Sequence, residues 1–148
     1  MRTNRILHPA KSIFLTVATV IMIFVFNSCA TQADFLASPV VPAAQGKVTV
    51  KSDGNNNYVI KVNLTDLAES SRLQPPMNAY VVWMVTENNI SKNIGQIVSS
   101  TGALSNKLKA SFETVSSFKP KKIFITAEND ADAQYPDTRT VLTTDFIR

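Results

Sequence analysis

Cysteine, histidine and tryptophan each occur once in these 148 residues, and glycine only four times. A single thiol excludes an internal disulfide. The one histidine, His8, lies in the first segment, so the chain from Cys29 onward contains none. That excludes a Ser-His-Asp triad, a Cys-His pair and the usual imidazole metal sites there. Gly46, Gly54, Gly95 and Gly102 are isolated from one another, so no glycine-rich loop is present to cradle a phosphate. Met77 and Met84 are too few for a thioether copper site. Carboxylate or lysine chemistry is formally open, but no pair is singled out by spacing. The chain is therefore read as a non-enzyme with no cofactor and no catalytic residue.

Clustered positive charge is scarce as well. There are 15 Lys+Arg against 11 Asp+Glu. Three of the basic residues (Arg2, Arg5 and Lys11) and none of the acids precede Cys29, which leaves 12 against 11 in the remainder. Only Lys119, Lys121 and Lys122 lie close together, around Pro120, and they read as a solvated loop leading into a strand. A nucleic-acid partner, which needs a basic face, is not expected.

What is present starts at the amino terminus. After the basic start, Ile13 to Phe26 runs apolar for 14 residues, broken by Thr16 and Thr19, and Asn27, Ser28, Cys29 and Ala30 follow. Basic, apolar and small-residue regions in that order make a secretory signal. An uncleaved anchor is disfavoured, because a helix over this run spans about 21 Å against a hydrocarbon core of about 30 Å. With its lone cysteine at the cleavage point, the segment resembles the lipobox of bacterial lipoproteins. Ser28 keeps the small residue beside the cut, whereas Phe26 and Asn27 stand where the family usually has Leu and a small residue. The resemblance implies cleavage between Ser28 and Cys29 and acylation of Cys29 by a diacylglycerol and a fatty acid such as palmitate. It thus implies a membrane partner through a lipid anchor, in the inner or outer membrane, with the body of the protein in the periplasm.

Residues 1–28 are thus read as a lipoprotein signal peptide and 29–46 as the lipidated cysteine and a flexible linker. Ala30 to Gly46 is rich in alanine, with Pro39 and Pro42, and shows no period. Residues 47–148 are read as one all-β domain, large enough for a single core. Val48 and Val50 alternate with polar residues, Asp53-Gly54 and Asn55 to Asn57 make a turn, and Tyr58, Ile60, Val62 and Leu64 alternate again, which predicts a hairpin. Thr65 to Leu73 is read as a short helical turn, capped by Thr65 or Ser70 and stopped at Pro75-Pro76. Ala79 to Val85 is apolar on both alternating faces and is expected to lie centrally, covered on both sides, with Trp83 anchoring the core rather than serving as a ligand platform. Strands are also expected at Ile94 to Val98, Lys107 to Phe112, Lys122 to Glu128 and Val141 to Phe146. The fold class is a small Ig-like antiparallel β-sandwich of about seven strands.

Several of these segments carry a second resemblance. Tyr80-Val-Val-Trp83-Met-Val85, Asn93-Ile-Gly95-Gln-Ile97 and Ile123-Phe-Ile-Thr126-Ala-Glu128, followed by Pro136, are similar to the extracytoplasmic C-terminal domain of anti-sigma-K factors. The likeness spans roughly residues 79–146. In that family a cytoplasmic sigma-binding domain and a transmembrane helix come first, and here only 28 residues precede Cys29; the loop Asn129 to Asp137 also lacks the family's paired glycines. The resemblance implies a detached interaction module of the cell envelope, with a possible envelope protein partner and no direct contact with a sigma factor. An alternative use lies in the acidic loop, where Glu128, Asp130 and Asp132 alternate, with Asp137 and Tyr135 nearby. Hard oxygen ligands of this kind suit calcium, which would make the chain a calcium-dependent binder or an unfamiliar envelope enzyme. The glycine and distal glutamate of an EF-hand are missing, so the three carboxylates are read first as a solvated loop.

Overall fold

The hydrophobic alternation of the hairpins is realised in a two-sheet antiparallel sandwich, seen in a computed structural model that describes residues 30–97, 100–101 and 108–147. Among these residues there are nine strands: β1 (Ala30–Asp34), β2 (Gln45–Ser52), β3 (Tyr58–Thr65), β4 (Ala79–Thr86), β5 (Ser91–Ile97), β6 (Ser100–Thr101), β7 (Leu108–Ser116), β8 (Pro120–Glu128) and β9 (Thr140–Thr143). The first sheet has the order β1-β2-β3-β7-β6 and the second β5-β4-β8-β9. Without β1, this is the Ig-type arrangement of four strands, A-B-E-D, facing C′-C-F-G. Seven of the strands overlap the expected ones, although β9 ends at Thr143 and leaves Phe146, expected within it, exposed beyond its end. Val98 and Lys107, expected as strand ends, lie outside the described residues. The expected helical turn is a 3₁₀ turn at Ser70–Arg72, entered through Glu69 without a side-chain cap.

The core fills the space between the sheets. Val48 pairs with Val62, which pairs in turn with Phe112. From the other sheet Tyr80, Val82 and Met84 stand opposite Ala127, Ile125 and Ile123. All of these are buried except the half-buried Phe112, as expected where residues at i and i+2 line one face. Gly95 makes room for that ring. Its φ is +136°, and a Cβ there would lie 2.7 Å from Phe112 Cε2.

The segment expected as a flexible linker is part of the fold. Ala30–Asp34 pairs antiparallel with β2, from Ala30 opposite Lys51 to Asp34 opposite Lys47. The chain then crosses to the second sheet. The Phe35 amide donates to Gly46 O at 3.0 Å and the Leu36 amide to Thr143 O at 2.9 Å. Val41 and Ala44 are buried, and the buried Ser38 hydroxyl donates to Val141 O while accepting from the Val41 amide. The physical reason is that β2 offers an unpaired edge, which a short run of alanine and threonine can satisfy, while Pro39 and Pro42 fall in the crossing where no ladder donor is needed. The folded unit therefore includes residues 30–46.

At the opposite end from Ala30, Tyr80 ties down the segment between β3 and β4. Its hydroxyl donates to Ala68 O at 2.9 Å. Burial pushes the phenol up to about 12, partly opposed by the nearby Arg139 charge. Because the folded state holds this proton more tightly than the unfolded chain, the contribution is complete below about pH 10 and is lost as pH rises toward about 12. Urea midpoints measured across that range should fall more steeply for the native chain than for Tyr80→Phe; parallel curves would contradict this role.

Candidate functional site

Strand β4 is apolar on its second face too, and that face organises the acidic loop. Val81 and Trp83 are fully buried yet lie outside the inter-sheet core. Trp83 stands opposite Phe124 in β8, with the rings stacked at a centroid distance of 6.2 Å, and Val81 stands opposite Thr126. These residues line the outer face of the second sheet, and residues 129–139 fold back over it. Two side chains from the sheet clasp this strap. Asn93 of β5 lies opposite Trp83 beside a β-bulge, and its Nδ2 donates to Ala131 O at 2.9 Å and Ala133 O at 3.1 Å. Asn78 Nδ2 donates to Asn129 O at 2.9 Å.

Beneath the strap runs a chain of buried hydrogen bonds. The indole Nε1–H of Trp83 donates to Thr126 Oγ1 at 2.8 Å. The Thr126 hydroxyl donates to Glu128 Oε1, which also accepts the Asp137 amide at 2.8 Å. A buried indole N–H needs an acceptor, and each further member meets the demand of the one before it. Glu128 is buried and engaged here, although the sequence places it at the head of a solvated acidic loop.

The other acidic positions go separate ways. Asp130 Oδ1 accepts the Asp132 amide at 2.9 Å, closing a local turn, and Asp137 Oδ1 accepts the Thr138 hydroxyl at 3.0 Å. Asp130, Asp132 and Asp137 are exposed, and Tyr135 projects from the strap at 86 % exposure. Among the described residues no three His, Cys, Asp or Glu side chains come together as a metal site. The strap and β5 border an open trough of about 830 Å³, lined by Ile90, Lys92, Asn93 and Gln96 on one side and by Ala131 to Gln134 on the other. Its polar, open walls suit a surface contact rather than the enclosure of a small molecule. Asn93 and Thr126 enter the sequence reading only inside the motifs of the resemblance, with no role of their own; the signal for that role was the two-faced apolar β4, which requires a cover and an acceptor for its indole.

Ser28 and Cys29, the expected cleavage and lipidation positions, lie outside the described residues, as does His8. Ala30, the residue after Cys29, is the first of β1 and is exposed. Among the described residues no helix is long and apolar enough to cross a membrane. Comparisons with protein-family models, with curated proteins and with solved structures found no match.

Two outcomes follow for the strap. Glu128→Ala leaves the Thr126 hydroxyl and the Asp137 amide without their acceptor and should cost about 1–3 kcal/mol in urea unfolding. Glu128→Gln keeps a side-chain oxygen at the same reach and should cost clearly less; equal stability of native and Glu128→Ala chains would refute the buried role. Millimolar calcium should leave the melting temperature of the native chain unchanged, and an upward shift would restore the calcium reading.

Proposed function

We propose that the chain is a lipoprotein of the bacterial cell envelope, anchored through acylated Cys29, whose periplasmic β-sandwich is a non-catalytic binding or interaction module. The observation that carries this is the order of basic start, 14 apolar residues and small residues ending in the lone Cys29. The Ig-type strand order supports the second half of the reading, because such sandwiches present loops at their two ends for recognition. The likeness of residues 79–146 to the extracytoplasmic domain of anti-sigma-K factors points the same way, toward a protein partner in the envelope and away from a sigma factor. The strap at Tyr135 and the neighbouring trough, over the outer face of the second sheet, offer a surface for that contact.

Stable attachment takes more than one acyl chain, since a single one gives only marginal binding. Cys29→Ser removes the atom that accepts the diacylglycerol. The variant should accumulate as the full-length precursor without incorporating labelled palmitate, as read by gel mobility and label. A variant still cleaved, and still held on the membrane, would overturn the anchor.

A further inference from the structure

We propose that the end of the sandwich at which Ala30 lies docks flat on the anionic phospholipid headgroups of the bilayer that holds Cys29. This rests on the anchor proposed above and adds a second, non-covalent membrane contact made by the folded domain itself. The strand registers place the surface. Ala30 stands opposite Lys51, Ser52 opposite Tyr58, Tyr58 opposite Ser116, and Thr86 opposite Pro120. The same end therefore gathers the start of β1, the turns at 53–57, 87–90 and 117–119, and the last described residues, where the Ile147 amide donates to Lys121 O at 2.8 Å.

No spacer separates this end from the cysteine. Consecutive Cα atoms are about 3.8 Å apart, and residue 30 is already paired in β1, so a lipid on Cys29 holds these turns at the headgroup layer. Their composition fits that position. Of the six large apolar side chains exposed among the described residues, four are here: Ile90 at 56 %, Val115 at 62 %, Phe118 at 46 % and Phe146 at 63 % exposure. The other two are Leu36, whose amide donates to Thr143 O on the edge of the second sheet, and Tyr135 on the strap.

Lysines accompany the rings. Lys92 Nζ lies 4.3 Å from the Phe118 ring centroid, and Lys121 Nζ lies 5.3 Å from that of Phe146. Lys51 and Lys119 are exposed at the same end. The acids at this end are Asp53, Glu87 and Asp145. Asp53 is occupied by its own turn, accepting from the Asn55 amide at 2.8 Å and from the Asn57 side chain at 3.1 Å. Glu87 pairs with Lys119 at 3.7 Å with both side chains largely solvated, an interaction weak enough to yield to a phosphate. In contrast Asp34, Asp66, Glu69 and Glu128 stand at or beyond the opposite ends of their strands, in company with Lys47, Arg72, Lys109 and Arg139. Aromatic and aliphatic tips entering the interface, with ammonium groups at headgroup level, are the chemistry of peripheral membrane attachment.

The test uses the full, natively acylated chain in vesicles of phosphatidylglycerol and phosphatidylethanolamine with brominated acyl chains. Phe118→Trp and Phe146→Trp each add an indole at the proposed contact, Tyr135→Trp adds one on the strap, and buried Trp83 supplies a constant background. The added emission at 118 and 146 should be lost to bromine quenching while that at 135 persists. Quenching should weaken in phosphatidylcholine vesicles and at about 1 M salt, where the screening length falls to about 3 Å. Retained emission at 118 and 146 in a chain that carries its lipid and floats with the vesicles would overturn the docking face and leave the anchor standing. Quenching at 135 instead, or capture of this end by a protein partner that shields it from bromine, would also overturn it. Intact mass read on the same sample decides the anchor separately: an unmodified Cys29 overturns the anchor, and the docking face with it.

Discussion

A central strand that is apolar on both faces must be covered twice, and most of what distinguishes this sandwich follows from the second cover. The inner face of β4 meets β2, β3 and β7 in the ordinary way. Its outer face carries Val81 and Trp83, too much apolar surface to leave in water. The β8–β9 connection therefore does not loop outward but lies back over the sheet, clasped by Asn93 and Asn78. Burying an indole creates a polar debt, because its N–H needs a partner away from solvent. Thr126, Glu128 and the Asp137 amide settle it in turn, and no buried side-chain polar atom is left without a partner among the described residues.

That chain of requirements reassigns the acidic segment. A carboxylate drawn into a buried hydrogen-bond relay is no longer a free ligand, and Asp130 is engaged by its own turn. The segment that reads as the chain's best chemical site holds the fold together, and what it presents outward is the exposed Tyr135 and the edge of an open trough. What is left exposed is the strap and trough over the outer face of the second sheet, and the lysines and apolar tips gathered at the end where Ala30 lies.

Much of the architecture was legible because period-2 alternation survives folding. Val48 and Val50, then Ile60, Val62 and Leu64, mark one hairpin, and the Asp-Gly-Asn turn between them has Gly54 and Asn56 at positive φ, as such turns require. The doubly apolar AYVVWMV run correctly marked a central strand. What was not legible depended on distant partners. Ala30–Asp34 has no hydrophobic alternation of its own and becomes a strand because the edge of β2 accepts it, so composition alone read it as a spacer. The burial of Trp83 was expected, but not its side of the sheet: alternation assigns faces within a strand and does not say which of two apolar faces meets the other sheet. The same ambiguity hid the roles of Thr126 and Asn93, ordinary polar residues until an indole lies between them.

If the strap is an integral cover rather than a mobile loop, the indole proton of Trp83 reports it directly. Hydrogen exchange of the Trp83 Nε1–H, followed by NMR beside the backbone amides of Val82 and Ile125, compares the outer face with the core. All three should exchange only through global unfolding and share one protection free energy. An indole proton that exchanges rapidly while Val82 and Ile125 stay protected would mean that the strap opens independently, and would contradict the integral cover.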